Sequence, residues 1–190
     1  MDHLIQTTRL LGLPGSLRKG SYSLAVLNAL QKRLHKSVSL EICNLNMPLY
    51  NEDHDGLAAP EQVTAFRRSI MESDGIVIVM PEYNHGIPGV LKNALDWASR
   101  PFGQSSLTGK PVLAISISPA FTGGVRAQAQ LNETLLVIQA VPVPAPQVVI
   151  GSIASKIEDG LFVDEPSANF ALGAIDRLID RCGLMPIAYL

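Results

Sequence analysis

The stretch Gly15-Ser16-Leu17-Arg18-Lys19-Gly20-Ser21-Tyr22-Ser23 sets two glycines, three serines and an arginine just ahead of a segment with helical periodicity. Such a loop offers backbone N–H groups, hydroxyls, a guanidinium and a helix amino terminus together, which are the needs of a phosphate monoester. It lacks the Gly-Lys-Ser/Thr ending of a nucleoside-triphosphate loop and the GxGxxG of a dinucleotide fold, so neither ATP hydrolysis nor a Rossmann NAD site is expected. Taken alone, the loop supports an anion site, and the plain alternative is a Gly/Ser turn that only reverses the chain.

A second loop, Pro81-Glu82-Tyr83-Asn84-His85-Gly86-Ile87-Pro88-Gly89, contains two prolines and two glycines. They fix a backbone that should not pair in a sheet and should leave its N–H and C=O groups facing a ligand. The rim of a flat heteroaromatic ring such as isoalloxazine, with its alternating nitrogens and carbonyl oxygens, would satisfy those groups. Tyr83 and His85 invite roles as general acid and base, but the sequence places no second titratable partner beside them, so they read as packing or as walls of the site. Glu82 reads as a loop or interface residue rather than an acid catalyst. A third special loop is Ser118-Pro119-Ala120-Phe121-Thr122-Gly123-Gly124. No side chain is expected to be catalytic in its own right, and no metal site is suggested. Cys43 and Cys182 are far apart and have neither CxxC spacing nor companion histidines.

These loops need a frame, and the chain supplies one by alternating strand-length apolar runs with helix-period segments. Arg9 to Leu13 is a short strand; Leu24, Leu27, Leu30 and Leu34 then recur at helical spacing, with Ser21 or Ser23 as the cap. Val38 to Ile42 is a second strand, followed by a long surface loop from Asn44 to Pro60. Pro60 opens a helix carrying Val63, Phe66 and Ile70, and the continuously apolar run from Ile76 to Met80 is a central third strand. Leu91, Ala94, Leu95 and Ala98 share a helical face that stops at Arg100-Pro101. Val112 to Ile117 is the fourth strand, and Leu131, Leu135 and Ile138 mark the next helix. Val148 to Ile150 is the last strand, Glu158-Asp159-Gly160 a turn, and Asp164 to Ser167 the cap of a final helix burying Ala171, Ala174, Ile175 and Leu178. The expected fold is α/β, a flavodoxin-like three-layer sandwich with a five-stranded parallel sheet of order 2-1-3-4-5. In that order strands 1, 3 and 4 are neighbours, so the three special loops converge on one crevice beyond their carboxyl ends.

Composition narrows the partners. The 190 residues are 47% hydrophobic and 17% charged, the balance of a single soluble domain spanning 1–190. A net charge of −2, with scattered lysines and arginines, gives no footprint for nucleic acid or for an anionic membrane. The amino terminus has neither a basic nor an apolar leader region, and no run is long enough to span a bilayer, so a cytoplasmic protein is expected.

The segments GSLRKGS, PEYNHGIPGVLKNALDW and SPAFTGGVRAQ, in this order and spacing, resemble the NADPH-dependent FMN reductase family, in particular its bacterial quinone and chromate reductase branch. The resemblance runs from about Leu10 to Ala140. It implies non-covalent FMN, NADPH or NADH as reductant, and a homodimer or homotetramer. It also implies electron transfer through flavin N5 to small-molecule acceptors: quinones, flavins, azo dyes or metal oxyanions such as chromate. By that resemblance Ser16, Arg18, Ser21, Tyr22 and Ser23 bind the phosphate, Pro81, Glu82, Tyr83, Asn84, His85 and Gly86 the ribityl chain and ring, and Ser116, Ser118, Gly123 and Gly124 the far side of the ring. Many relatives carry Asn where this chain has Ser23, so that contact is expected to be shorter or water-mediated. Arg100 and Arg126 are possible contacts for the nicotinamide nucleotide.

Two other readings remain open at this stage. A flavodoxin-type electron carrier would bind FMN through similar loops, but the small net charge gives little steering toward a protein partner. A sensor or assembly module with no flavin would have no use for Arg18 and the serines.

Overall fold

In the computed structural model, which describes residues 7–144 and 146–183, strand β1 (Thr8–Pro14) is flanked by β2 (Val38–Ile42) on one side and β3 (Gly75–Pro81) on the other. β4 (Pro111–Ile117) follows β3, and all these pairings are parallel. The order β2-β1-β3-β4 and the parallel direction are those the alternation of strand and helix segments predicts, and the fold is the flavodoxin-like α/β sandwich.

Alternate residues of β3 explain the three layers. Val77 and Val79 face the layer formed by helices α1 (Tyr22–Gln31) and α5 (Glu165–Gly183), while Ile76, Ile78 and Met80 face α2 (Glu61–Glu72), α3 (Gly89–Ala98) and α4 (Val125–Val137). A strand covered on both faces has no polar side, and every residue from Gly75 to Met80 is buried.

The fifth strand position departs from expectation because two short pieces share it. β5 (Val141–Pro142) pairs with the start of β4, and β6 (Val148–Ile150) pairs with its end. Prolines at 142, 144 and 146 cannot donate to a ladder, so the chain leaves the sheet between the two pieces. Gln128 of α4 closes part of the gap, its Nε2 donating to the carbonyls of Ala114 and Val148 at 2.9 and 3.1 Å. A hairpin of β7 (Ile157–Glu158) and β8 (Leu161–Phe162) surrounds the expected turn, with Asp159 and Gly160 at positive φ as a two-residue hairpin demands. Helix α1 ends at Gln31, one turn short of Leu34, and Val26 rather than Leu24 belongs to its buried face. Among the described residues, no helix is long and apolar enough to cross a membrane.

Candidate active site

The loops that leave β1, β3 and β4 do meet. One crevice is lined by Ser16, Arg18, Tyr22 and Ser23 from the first, Pro81 and Tyr83 from the second, and Ile117 and Pro119 from the third, with Ile153 closing the floor. Wider hollows lie elsewhere: one of about 300 Å³ is lined in part by Arg9, Asp74, Lys110 and Cys182 at the amino ends of the strands. In doubly wound sheets ligands bind at the carboxyl ends, where the three special loops reach this crevice.

The first loop hugs β3. Gly15 donates its N–H to the Val79 carbonyl at 2.8 Å, and a Cβ on Gly15 would stand 2.7 Å from that of Met80, so only glycine fits. Ser21 caps α1 by accepting the Leu24 N–H at 3.3 Å, and its own N–H returns to the Arg18 carbonyl at 3.0 Å. The Ser21 hydroxyl caps the helix as an acceptor and keeps its O–H to donate, and the N–H groups of Tyr22 and Ser23, in the first turn, have no intrahelical acceptor. The Arg18 guanidinium stands over the Tyr22 ring, 4.7 Å from its centre, and among the described residues it pairs with no carboxylate. The Ser23 hydroxyl is fully buried and without a partner. A cation, free N–H groups and an orphaned hydroxyl thus face one crevice.

The second loop spends part of the backbone that was expected to be free. Tyr83 and Gly86 bond to each other in both directions, at 3.1 and 2.9 Å, with Asn84 and His85 at φ 49° and 64° in the turn between them. Among the described residues, the N–H groups of Asn84 and His85 donate to no acceptor, so the loop still offers donors at its tip. The remaining polar groups of the loop hold it to α4. Glu82 Oε2 accepts the N–H groups of Arg126 and Ala127, both at 3.0 Å, and Ile87 donates its N–H to Gln130 Oε1 at 2.8 Å. Arg126 Nη1 approaches the His85 ring at 2.7 Å, and because a guanidinium carries only donors, the ring nitrogen facing it accepts.

The third loop is fastened to the chain after β6. Ser118 donates its N–H to Ile150 and accepts from Ile153 at its carbonyl, while its hydroxyl accepts the Ala120 N–H at 3.1 Å. Gly123 and Gly124, at φ 64° and 86°, bring the loop into α4. Ser116 lies beneath Gly124 on the α4 side of the sheet, its hydroxyl buried without a partner, and it does not line the crevice. Pro119, Ile117 and Ile153 do line it. Ile153 carries no signal in the sequence, since it arrives through the tie between the third loop and the chain after β6.

Residues 8–155 match the model of the NADPH-dependent FMN reductase family. The chain belongs to this family. A quinone reductase of Pseudomonas putida is 39% identical over 164 residues, covering 86% of this chain and 88% of the relative. A quinone reductase of Escherichia coli is 35% identical over 182 residues, covering 92% and 94%. Among solved structures, the flavoenzyme FerB, an NAD(P)H:(acceptor) oxidoreductase from Paracoccus denitrificans, superposes with a TM-score of 0.80 at 33% identity, covering 94% of this chain and 99% of that one.

The reductase is an FMN-dependent oxidoreductase of the NAD(P)H-using kind, and its crevice can be tested against that cofactor. Helix α1 begins in the crevice, with Tyr22 and Ser23 among its walls, and α4 begins beside it, Gly124 lying against the carbonyl of the wall residue Ile117. The amino end of α4 already holds the Glu82 carboxylate, so an anion there would meet a negative charge. The amino end of α1 holds none and has Arg18 and the unpartnered Ser23 hydroxyl beside it. The donor set of α1 fits a phosphate monoester. Burial, reinforced by Glu41, pushes the Cys43 thiol up to about 11, and burial, reinforced by Asp74, does the same to Cys182, so neither favours a thiolate.

Proposed function

We propose that the crevice holds FMN with its phosphate on the first turn of α1, and that the protein passes electrons from NADPH or NADH to small acceptors, quinones first among them. The observation that carries the placement is the buried, unpartnered Ser23 hydroxyl beside Arg18, in the first turn of a helix whose amino end meets no carboxylate among the described residues. Arg18 would neutralise the phosphate; Ser16, Tyr22 and Ser23 would donate to it, and Ser21 would keep the helix end in place. The loop from Pro81 to Gly86 would flank the ribityl chain and ring, with Tyr83, half exposed, as a wall. Ser118, Gly123 and Gly124 would shape the far side, and Ser116 would act from below Gly124.

FMN, when bound, supplies the hydride and electron chemistry, and the protein contributes position, electrostatics and access. The side chains here are arranged for that division of labour: one cation for the phosphate, backbone donors at the loop tip, and no nucleophile paired with a base. Tyr83, at 52% exposure, leaves one aromatic wall of the crevice open to solvent, which suits planar aromatic acceptors and excludes few of them. The quinone reductases among its relatives support quinones as acceptors. The same open site would admit free flavins, azo dyes and chromate. We place the activity in the cytoplasm and in a homodimer or homotetramer, which sedimentation equilibrium would test.

Steady-state reduction of a quinone, free FMN, an azo dye and chromate, each with NADPH and with NADH, tests this reading. Turnover of the quinone with a flavin-loaded, yellow protein is expected. A purified protein that stays colourless and takes up no added FMN would sink the reading, and anaerobic mixing with NADPH separates a reductase from a carrier that accepts no hydride.

A further inference from the structure

Helix α1, which begins in the crevice, and helix α4, which begins beside it against the Ile117 carbonyl, are built differently at their amino ends. Helix α1 carries its own cap, Ser21. Helix α4 has Gly124 in the cap position, at φ 86° and with no side chain to offer, and its first free N–H groups are met by Glu82, a residue of the preceding loop. Glu82 sits between Pro81 and Tyr83, both walls of the crevice.

The fit is close. A Cβ on Gly124 would stand 3.3 Å from the Cβ of Glu82 and 3.3 Å from that of Ser116, so the glycine is what lets the helix start against the loop. Gln130 and Arg126, one turn apart on α4, hold Ile87 and His85 at the other end of the same loop. The position of the loop is therefore set by α4, and the carboxylate of Glu82 is the anionic member of a set in which Arg126 carries the positive charge.

The amino end of a helix carries roughly half a positive charge, and a carboxylate bonded to its first N–H groups offsets it. Reduction adds negative charge to a flavin. An uncompensated helix end at the crevice would favour the reduced form, and a carboxylate opposes it. We propose that Glu82 is a positioning residue that lowers the reduction potential of the flavin: it neutralises the amino end of α4 while locking the loop from Pro81 to Gly86 against that helix. A lower potential makes the reduced flavin a stronger donor to quinones and other acceptors. The inference rests on the reading that the crevice binds FMN.

The test compares Glu82→Gln, which keeps an acceptor oxygen of the same reach and removes the charge, with Glu82→Asp, which keeps the charge. The readouts are the flavin midpoint potential against a reference dye, the FMN dissociation constant and the thermal midpoint. For Glu82→Gln the potential should rise by at least a tenfold change in the reduction equilibrium, about 30 mV for a two-electron couple, while oxidised FMN binds within a few-fold of the unsubstituted protein. Glu133→Gln, which removes an exposed carboxylate farther along α4, should leave the potential unchanged. A thermal midpoint that falls in Glu82→Gln with no change in potential would mean a structural cap only and overturns the proposal. Should Glu82→Gln release the flavin, Glu82→Asp decides: a potential within that tenfold band supports the proposal, and a larger rise overturns it. If the unsubstituted protein takes up no FMN, the reading of the crevice has failed, an outcome distinct from an unmoved potential in a flavin-loaded variant.

Discussion

Gly151 lies so near Phe121 that a Cβ on the glycine would stand 2.3 Å from the Phe121 carbonyl oxygen. The contact joins the chain after β6 to the loop after β4, where Ser152 donates its N–H to Ala120 and Ile153 donates to Ser118. A methyl group there cannot be absorbed by a flexible side chain, since the obstacle is backbone. Gly151→Ala should push the third loop outward and cost about 1–3 kcal/mol, the scale of overpacking. Chemical denaturation should show the loss, and a flavin titration should show weaker FMN binding as Pro119 and Ile153 move apart. An alanine variant with native stability and native affinity would remove the third loop from the site.

Arg18→Ala should weaken FMN binding by about 1.5–3 kcal/mol, the worth of a hydrogen bond to a charged group. Arg18 is exposed and rests on Tyr22 rather than on a carboxylate, so its loss should leave folding nearly unchanged. Fluorescence titration of FMN measures the first expectation and thermal unfolding of the apoprotein the second. Equal affinity in the variant would move the phosphate away from this loop.

What could be read from the sequence and what could not follow a physical division. The apolar runs at 10–13, 76–80 and 112–117 are long, covered on both faces and unmistakable, and so the order of the central strands and the convergence of three loops were legible. A serine cap of α1, at Ser21 or Ser23, was legible because capping is local, and the structure places it at Ser21, whose side chain meets an N–H three residues on. Strands β5 and β6 blurred because prolines divide the fifth position. Glu82 was legible as a member of the loop but not as the cap of α4, because its partners lie 44 and 45 positions away. Ile153 and Gly151 were hidden for the same reason: each earns its place only through a contact between segments far apart in the chain.

Cys43 and Cys182 should resist alkylation while the protein is folded. With both thiols held up to about 11 by burial first and by Glu41 or Asp74 second, the thiolate population at pH 8 is small and the reaction should slow on the order of tenfold or more. Mass spectrometry after iodoacetamide treatment, with and without urea, gives the comparison. Rapid labelling of either cysteine in the folded protein would contradict the burial, and loss of activity on labelling would reopen a role for thiols.

Asp164 should make stability depend on acid. Its carboxylate is held down to about 2 by the Lys156 ammonium first and the Ser167 hydroxyl next, and it caps α5 through the Ser167 N–H at 3.0 Å. A folded value below the unfolded value of about 3.9 means that the contribution is present above pH 4 and is lost as pH falls from about 4 to about 2. The Asp164 and Lys156 side chains are each 23% exposed, so solvent still screens the pair: the ion pair adds less than about 1 kcal/mol and the cap about 1 kcal/mol. Asp164→Ala should lower the thermal midpoint at pH 7 by roughly 2–4 °C, and the gap to the unsubstituted protein should narrow toward pH 2. A gap that stays constant across that range would show that the charge contributes nothing.

Ser23→Ala should act with opposite signs in the two forms of the protein. The Ser23 hydroxyl is fully buried and meets no partner, and an unsatisfied buried polar group costs about 1–3 kcal/mol. Replacing it by a methyl group of similar shape should therefore leave the apoprotein as stable as before or raise its melting point. In the flavin-loaded protein the same hydroxyl would donate to the phosphate, and its removal should weaken binding by an amount approaching that of Arg18→Ala. Thermal unfolding with and without saturating FMN resolves the two cases, because ligand stabilisation grows with affinity. A packing role predicts a fall in both forms by the same amount. Only a hydroxyl kept for a ligand predicts an apoprotein that does not suffer and a complex that does.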